Sequence, residues 1–458
     1  MKSFQGYEHT NIQIHQMISG DEQSVQLFEY YRKLKVPQYQ RKNKNADCFV
    51  ISVDLDKIII QSNYFIGLDW ICKHNKSSIY IAPKVNQQLI QDFETSMDAE
   101  NETLETSRES ASLKELDYLG MFLKAMEDPL VAKELDGLLF IDWNAERILI
   151  ESKDEILSPF LIVQYLSILK KIVQKGLKKA YYKVEEHLKN RVKGKILIAA
   201  TIKHNILKRN LIDTICGYQE YGINNIENRF LKKVLRFVQH YVAKHSKVFR
   251  NSLSSVNQLI NYSLSAFEMV SDDIPENELK QYKGNVFYRE YAEAIRIGGY
   301  ILKRFSYSVS QIDKNEIATP PFWIDMPRLF ELYVYQQLLA LFPRQVEYRF
   351  STYGNELDFL ITHPEHKMVV DAKYKLHYRH QDNHNDMRQV SGYARLNKVY
   401  KALKMESSNE ILDCLIIYPN VSNDGDDVLP VFDQIKTMAR YKIKGYRNFY
   451  KVGIKLPV

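Results

Sequence analysis

Two acidic residues and a lysine stand out by their spacing. Glu356-Leu357-Asp358-Phe359-Leu360-Ile361-Thr362 and Lys367-Met368-Val369-Val370-Asp371-Ala372-Lys373-Tyr374-Lys375 are strand-like runs, and His363-Pro364-Glu365-His366 between them has the length of a tight turn. Setting Thr362 opposite Lys367 and counting back along both strands brings Asp358 opposite Asp371. Like charges so placed repel, and a hard divalent cation, which prefers carboxylate oxygens, relieves the repulsion. Side chains alternate along a strand, so Lys373 emerges on the same face as Asp371. Two carboxylates that can hold Mg²⁺, or Mn²⁺ in its place, beside a lysine suit phosphodiester hydrolysis. There the metal polarises a phosphoryl oxygen, while the lysine orients water or offsets charge on the phosphorane.

Other elements must position these groups. Upstream, Arg328-Leu329-Phe330-Glu331-Leu332-Tyr333-Val334 has a helical pattern; downstream, Gln389-Val390-Ser391-Gly392-Tyr393 places Gln389 and Tyr393 one helical turn apart. In this order the four elements resemble the PD-(D/E)XK nuclease superfamily. The resemblance implies a C-terminal α/β domain, residues 316–458, with a central mixed sheet of the restriction-endonuclease kind. It makes Glu331 the first acidic residue and a metal ligand alongside Asp358 and Asp371, with Lys373, Gln389 and Tyr393 completing the catalytic set. Leu357 stands where the superfamily's name has proline, a backbone preference that supplies no ligand.

The likeness extends over most of the chain. Phe65-Ile66-Gly67-Leu68, Ile79 to Val85, Lys175-Gly176-Leu177 with Tyr181-Tyr182, Val192 to Ile196, and Glu227-Asn228-Arg229-Phe230-Leu231-Lys232 follow in the order found in McrC-like subunits. These are the nuclease subunits of McrBC-type, modification-dependent (type IV-like) restriction systems. Residues 1–45 and 86–128 have no counterpart in that pattern, which points to a divergent relative, toward two-component systems of the LlaJI type. The resemblance implies double-stranded DNA as substrate and a hexameric AAA+ GTPase or ATPase ring, McrB-like, as partner. The N-terminal β-rich domain would engage that ring and stimulate its nucleotide hydrolysis. The sequence has no Gly-x-x-x-x-Gly-Lys-Ser/Thr loop, so no nucleotide is expected on this chain itself.

The 458 residues and 45% apolar content predict an α+β protein of several domains. Strand-like runs at Cys48–Val53, Ile58–Gln61 and Ser78–Ile81, and a hairpin of Leu138–Trp143 with Arg147–Glu151, predict a β-rich domain over 1–150 with a polar insertion near 86–128. Residues 151–315 form a mainly helical middle, with helical patterns from Ser158 and Ile226, a strand at Lys195–Ile202, and Pro320-Pro321 marking the next boundary.

The net charge of +7 is unevenly spread. Residues 91–160 hold 6 Lys and Arg against 18 Asp and Glu, whereas 161–250 hold 20 against 5. A block this basic gains from releasing counterions condensed on a polyanion, so DNA is the expected partner of the middle region. No apolar run approaches the length of a membrane span, the start lacks a signal-peptide core, and the four cysteines are scattered. A cytoplasmic, prokaryotic protein without membrane association is expected. His377, His380 and His384 have spacing that a zinc ion could use, and residues 423–427 faintly resemble a calcium loop, but a phosphate-facing or solvated role fits each better. Against the nuclease stand a non-catalytic scaffold that activates an AAA+ ring and a DNA-repair nuclease that needs no motor.

Overall fold

A computed structural model describes residues 2–16, 29–31, 38–41, 44–53, 57–72, 76–84, 116–128, 130–135, 137–151, 157–249, 252–274, 288–306, 316–375, 384–420 and 429–457. The chain is α+β, and its contacts group it into two compact units: Met1–Ile150 with Ala318–Val458, and Glu151–Ile317.

The first unit contains two five-stranded sheets. In the N-terminal sheet the order is Lys2–Tyr7, Ser77–Ala82, Phe65–Cys72, Phe322–Asp325, Leu139–Ile141. Phe322–Asp325 is therefore an inner strand, antiparallel to both neighbours. Its Phe-Trp-Ile run is wholly buried because both faces are covered, and the Trp323 indole donates to Asp69 Oδ2 at 2.9 Å, which satisfies its only polar atom. Gly67 permits this docking: a Cβ there would lie 2.1 Å from the Phe322 carbonyl oxygen. Ile66-Gly67-Leu68 thus lies in the middle of a strand, at a point of close backbone approach. The expected hairpin near Asn144 does not form. Leu139–Ile141 pairs instead with Phe322–Ile324, and Ile148–Glu151 lies in a separate two-stranded sheet. A smaller sheet joins Asn11–Gln16, Lys57–Ser62 and Phe49–Val53.

The C-terminal sheet runs Val346–Thr352, Asn355–Thr362, Lys367–Ala372, Asp413–Asn420, Phe449–Lys455. The first three strands are antiparallel and the last two pair in parallel, so the sheet is mixed. Lys367–Ala372 and Asp413–Asn420 read as nearly continuous apolar runs because they are inner strands. Leu360, Val369 and Ile416 pack with Met387 and Val390 of the helix His384–Tyr393. The helical pattern read over Arg328 to Val334 lies within the helix Met326–Leu341, which Asp325 caps by accepting from the Arg328 amide at 2.9 Å and in whose first turn Pro327 stands.

The second unit contains the helices Leu157–Lys175, Ile226–Lys244, Leu253–Ala266 and Arg289–Ser306 and a three-stranded antiparallel sheet. Ala180–Lys189 pairs with Asp213–Gly222 along its whole length. The expected strand Lys195–Ile202 keeps only Lys195–Ile196; Ile198–His204 is helical, in keeping with the helix propensity of Ala199 and Ala200. Around this sheet Ile198, Leu207 and Leu211 are 68, 74 and 79% exposed. No helix among the described residues is long and apolar enough to cross a membrane. Most of the polar stretch 86–128, the histidines His377 and His380, and the loop 423–427 lie outside the described residues.

Candidate active site

The hairpin has the register counted from the sequence: Thr362 pairs with Lys367, Ile361 with Met368, Leu360 with Val369 and Phe359 with Val370. Asp358 and Asp371 come next. There a side chain takes over from the backbone ladder, as the Ala372 amide donates to Asp358 Oδ2 at 2.8 Å. Asp371 is 2% exposed. Burial raises both carboxyl pKa values. Asp358 is lifted well above the usual carboxylate range, with Asp371 and then Glu331 adding to the effect of burial. For Asp371, burial is opposed by Lys373 and reinforced by Asp386 and Glu331, and the result is still a raised value. The pair is short of positive charge.

Lys373 Nζ stands 2.8 Å from Asp371 Oδ2, in a close ion pair. It also donates to Gln389 Oε1 at 3.2 Å, and Gln389 Nε2 donates to the Tyr393 hydroxyl at 2.8 Å. Burial works to lower the lysine's pKa, but Asp371, Asp358 and Asp386 outweigh it and hold it above the ordinary value. The ammonium is thus stabilised by the same carboxylates that it faces.

Glu331 is near enough to both aspartates to raise them, yet its Oε1 is turned to two guanidinium groups. Arg349 Nε lies 3.2 Å away and an Arg328 terminal nitrogen 3.6 Å away. Arg328 is 2% exposed and also donates to the Glu134 carbonyl at 2.6 Å and to the Tyr348 hydroxyl. Arg349 has φ of 53° inside a strand, a conformation that costs a non-glycine residue about 1–2 kcal/mol. Tyr348 pairs with Phe359 and Phe350 with Leu357, so the interruption at Arg349 falls opposite Asp358. All six residues singled out from the sequence thus lie in one neighbourhood: Asp358, Asp371, Lys373 and Glu331 by mutual electrostatics, Gln389 and Tyr393 by hydrogen bonds.

Sequence reasoning missed Arg328, Arg349 and Asp386. Asp386 accepts two hydrogen bonds from Lys375 Nζ, at 3.0 and 2.7 Å, and anchors the start of the helix that carries Gln389. Its three-residue spacing from Gln389 was a usable signal. Arg349 left none, because a local interruption within a strand does not alter the apolar pattern.

Among the described residues no group of three or more His, Cys, Asp or Glu side chains is arranged to hold a metal ion. Asp358 and Asp371 alone still fit a hard divalent cation, since Mg²⁺ is commonly held by one or two carboxylates, with water and substrate phosphate supplying the rest. Their shared excess of negative charge is what such an ion would neutralise. His384 is exposed.

A family model described as "McrBC 5-methylcytosine restriction system component" matches residues 63–419. Among solved structures, the chain is similar to one in a refined half-complex from a tetradecameric assembly of Thermococcus gammatolerans McrB AAA+ hexamers with bound McrC. That match has 16% identity and a TM-score of 0.36, and covers 99% of this chain and 94% of that one. A second match, to the Thermococcus gammatolerans McrBC complex, has 15% identity and a TM-score of 0.28 over 74% of this chain and 87% of that one. No curated protein matches the chain.

Proposed function

The chain belongs to the McrBC 5-methylcytosine restriction system component family, and on that premise we propose that it is the Mg²⁺-dependent DNA endonuclease of such a system. The observation that carries the reading is the hairpin that sets Asp358 beside Asp371, with Lys373 2.8 Å from the second carboxylate. We read the C-terminal sheet and its helices as a PD-(D/E)XK nuclease domain.

In the reaction, water attacks phosphorus and one phosphorus–oxygen ester bond breaks. Asp358 and Asp371 would hold the ion, which when bound supplies Lewis-acid polarisation and charge neutralisation. Lys373 keeps its proton on Nζ and offers that charge to the phosphorane oxygens or to the entering water. Gln389 and Tyr393 limit the lysine's rotamers through the chain of hydrogen bonds from Lys373 Nζ to Gln389 and on to Tyr393. Glu331, paired to Arg349 and Arg328, balances the two guanidinium groups and is available to the metal only if those pairs open.

The proposed partner is an AAA+ ring of the McrB kind, because the chain lacks a phosphate loop of its own. The sequence points to the β-rich N-terminal part as the docking element. The exposed aliphatic side chains at Ile198, Leu207 and Leu211 favour a second reading, in which the sheet of the second unit docks. The alternative reading from the sequence is a scaffold without catalysis that activates the ring. Incubation of the chain and its partner with methylated plasmid, nucleotide and Mg²⁺ separates these readings. An endonuclease gives chelator-sensitive breaks, and a scaffold gives nucleotide hydrolysis on intact DNA.

A further inference from the structure

Tyr374, the residue after Lys373, is gripped by the N-terminal sheet. Its hydroxyl donates to Glu8 Oε1 at 2.8 Å, and its carbonyl accepts from Lys84 Nζ at 2.9 Å. The Lys84 ammonium also lies 4.2 Å from the centre of the Tyr374 ring and 4.4 Å from that of Tyr64. From the other side the Phe330 ring, one residue before Glu331, packs at 5.8 Å. The point where the chain leaves the strand of Asp371 is therefore held between the N-terminal sheet and the helix of Glu331.

Glu8 is an unusual group to find there. It follows the first strand, is wholly buried, and accepts from the Lys84 amide at 3.2 Å, while its Oε2 has no hydrogen-bond partner. Desolvation pushes its pKa up to about 7 against the opposing pull of Lys84 and the Tyr374 hydroxyl. A carboxyl so placed is costly as an anion and tolerable as a neutral acid whose Oε1 fixes two donors. Glu8 and Tyr374 are both buried, so neither is available to DNA.

We propose that Glu8 and Lys84 are positioning residues for Lys373, clamping Tyr374 so that the lysine ammonium stays beside Asp371. This rests on the nuclease reading above. It makes the first strand and its following turn part of the catalytic support. The effect falls on the rate of bond cleavage and leaves DNA affinity alone, since Glu8 and Tyr374 are buried; the clamp adds to the bonds made by the peptide groups of Lys373 itself, whose carbonyl accepts from the Lys375 amide at 2.7 Å and whose amide donates to the Ile417 carbonyl at 2.8 Å. A displaced reactive group loses about tenfold to a hundredfold in rate when its shift approaches an ångström.

The test uses the full chain with its ring partner and methylated plasmid, comparing Glu8→Ala, Glu8→Gln, Tyr374→Phe and Asp371→Ala. Single-turnover cleavage, DNA affinity by anisotropy and melting temperature are measured for each. The expected result is slower cleavage by Glu8→Ala and Tyr374→Phe at unchanged DNA affinity, with Glu8→Gln near the wild-type rate because the amide oxygen can still accept from both donors. If Glu8→Ala does not fold, Tyr374→Phe, which lacks one hydroxyl, decides the matter. Wild-type cleavage by folded Tyr374→Phe, or a Glu8→Gln enzyme as slow as Glu8→Ala, overturns the proposal. Cleavage by Asp371→Ala overturns the nuclease reading beneath it instead.

Discussion

At Lys373 two effects compete, and the carboxylates win over burial, holding the ammonium's pKa above the ordinary lysine value. Lys373→Ala is expected to slow plasmid cleavage about 10²–10³-fold, the scale of losing one preorganised charge stabiliser. Lys373→Arg should not restore it, because a planar guanidinium does not reproduce a compact ammonium 2.8 Å from Asp371. Glu8 permits a stability test. Its folded value of about 7 lies above the ordinary 4.5, so between those pH values the folded state keeps a proton that the unfolded chain has lost. Stability therefore falls as pH rises through that window, by on the order of 3 kcal/mol, and levels off above it. Lys84, lowered to about 8, acts in the opposite sense between 8 and its ordinary 10.5, where stability recovers with rising pH. Among the described residues, the charged and titratable groups facing Glu8 include Lys84, Tyr374, Asp325 and Tyr64. Unfolding by denaturant from pH 4.5 to 8 should show a shallower decline in Glu8→Gln than in wild type; equal slopes would contradict the burial argument. Asp358, Asp371 and Lys373 could be read from the sequence because strand alternation and a short turn fix their faces. Of the arginine partners of Glu331, Arg328 lies three residues before it on the same helix and was within reach of helical spacing, whereas Arg349 was not, since it meets Glu331 only through a strand 18 residues further on.

The elements of the second unit show where pattern alone falls short. An apolar run such as Lys195–Ile202 fits strand or helix equally, and pairing with Cys216 and Gly217 takes only its first two residues. The basic block also divides once its partners are seen. Lys178 is half-buried against Glu227 at 2.6 Å, and Lys193 pairs with Glu220 at 2.9 Å, so both have structural neighbours. Lys179, Lys183, Lys189 and Lys195 are exposed and are the better probes of DNA binding. Changing these four to Glu should lower the slope of log K against log salt by about 0.9 for each phosphate that is no longer neutralised. An unchanged slope assigns the block to something other than DNA. The exposed aliphatic side chains give a parallel test: if the sheet of the second unit docks, Leu207→Glu with Leu211→Glu releases the ring partner in a pull-down while circular dichroism is unchanged. Retained binding favours docking through the β-rich N-terminal part.

For the molecule as a whole, three consecutive parts are what the sequence suggests, with a charge shift near residue 160 and Pro320-Pro321 as the second boundary. Contacts nevertheless join 1–150 to 318–458. The physical reason is the strand Phe322–Asp325, which supplies an inner member of the N-terminal sheet from beyond the helical unit. Four residues carry too little pattern to announce such a long-range pairing. A chain cut near residue 313 would lose that strand along with Trp323, so the partner-docking role must be tested by point substitution in the full chain. The central claim is that Asp358 and Asp371 form the metal-holding centre of a DNA endonuclease. Its most direct test is single-turnover cleavage of methylated plasmid by the chain with its AAA+ partner, nucleotide and Mg²⁺, comparing wild type with Asp371→Ala. Wild type should give double-strand breaks, and a folded Asp371→Ala protein that still binds the ring should give none. Breaks by the variant at the wild-type rate would contradict the claim.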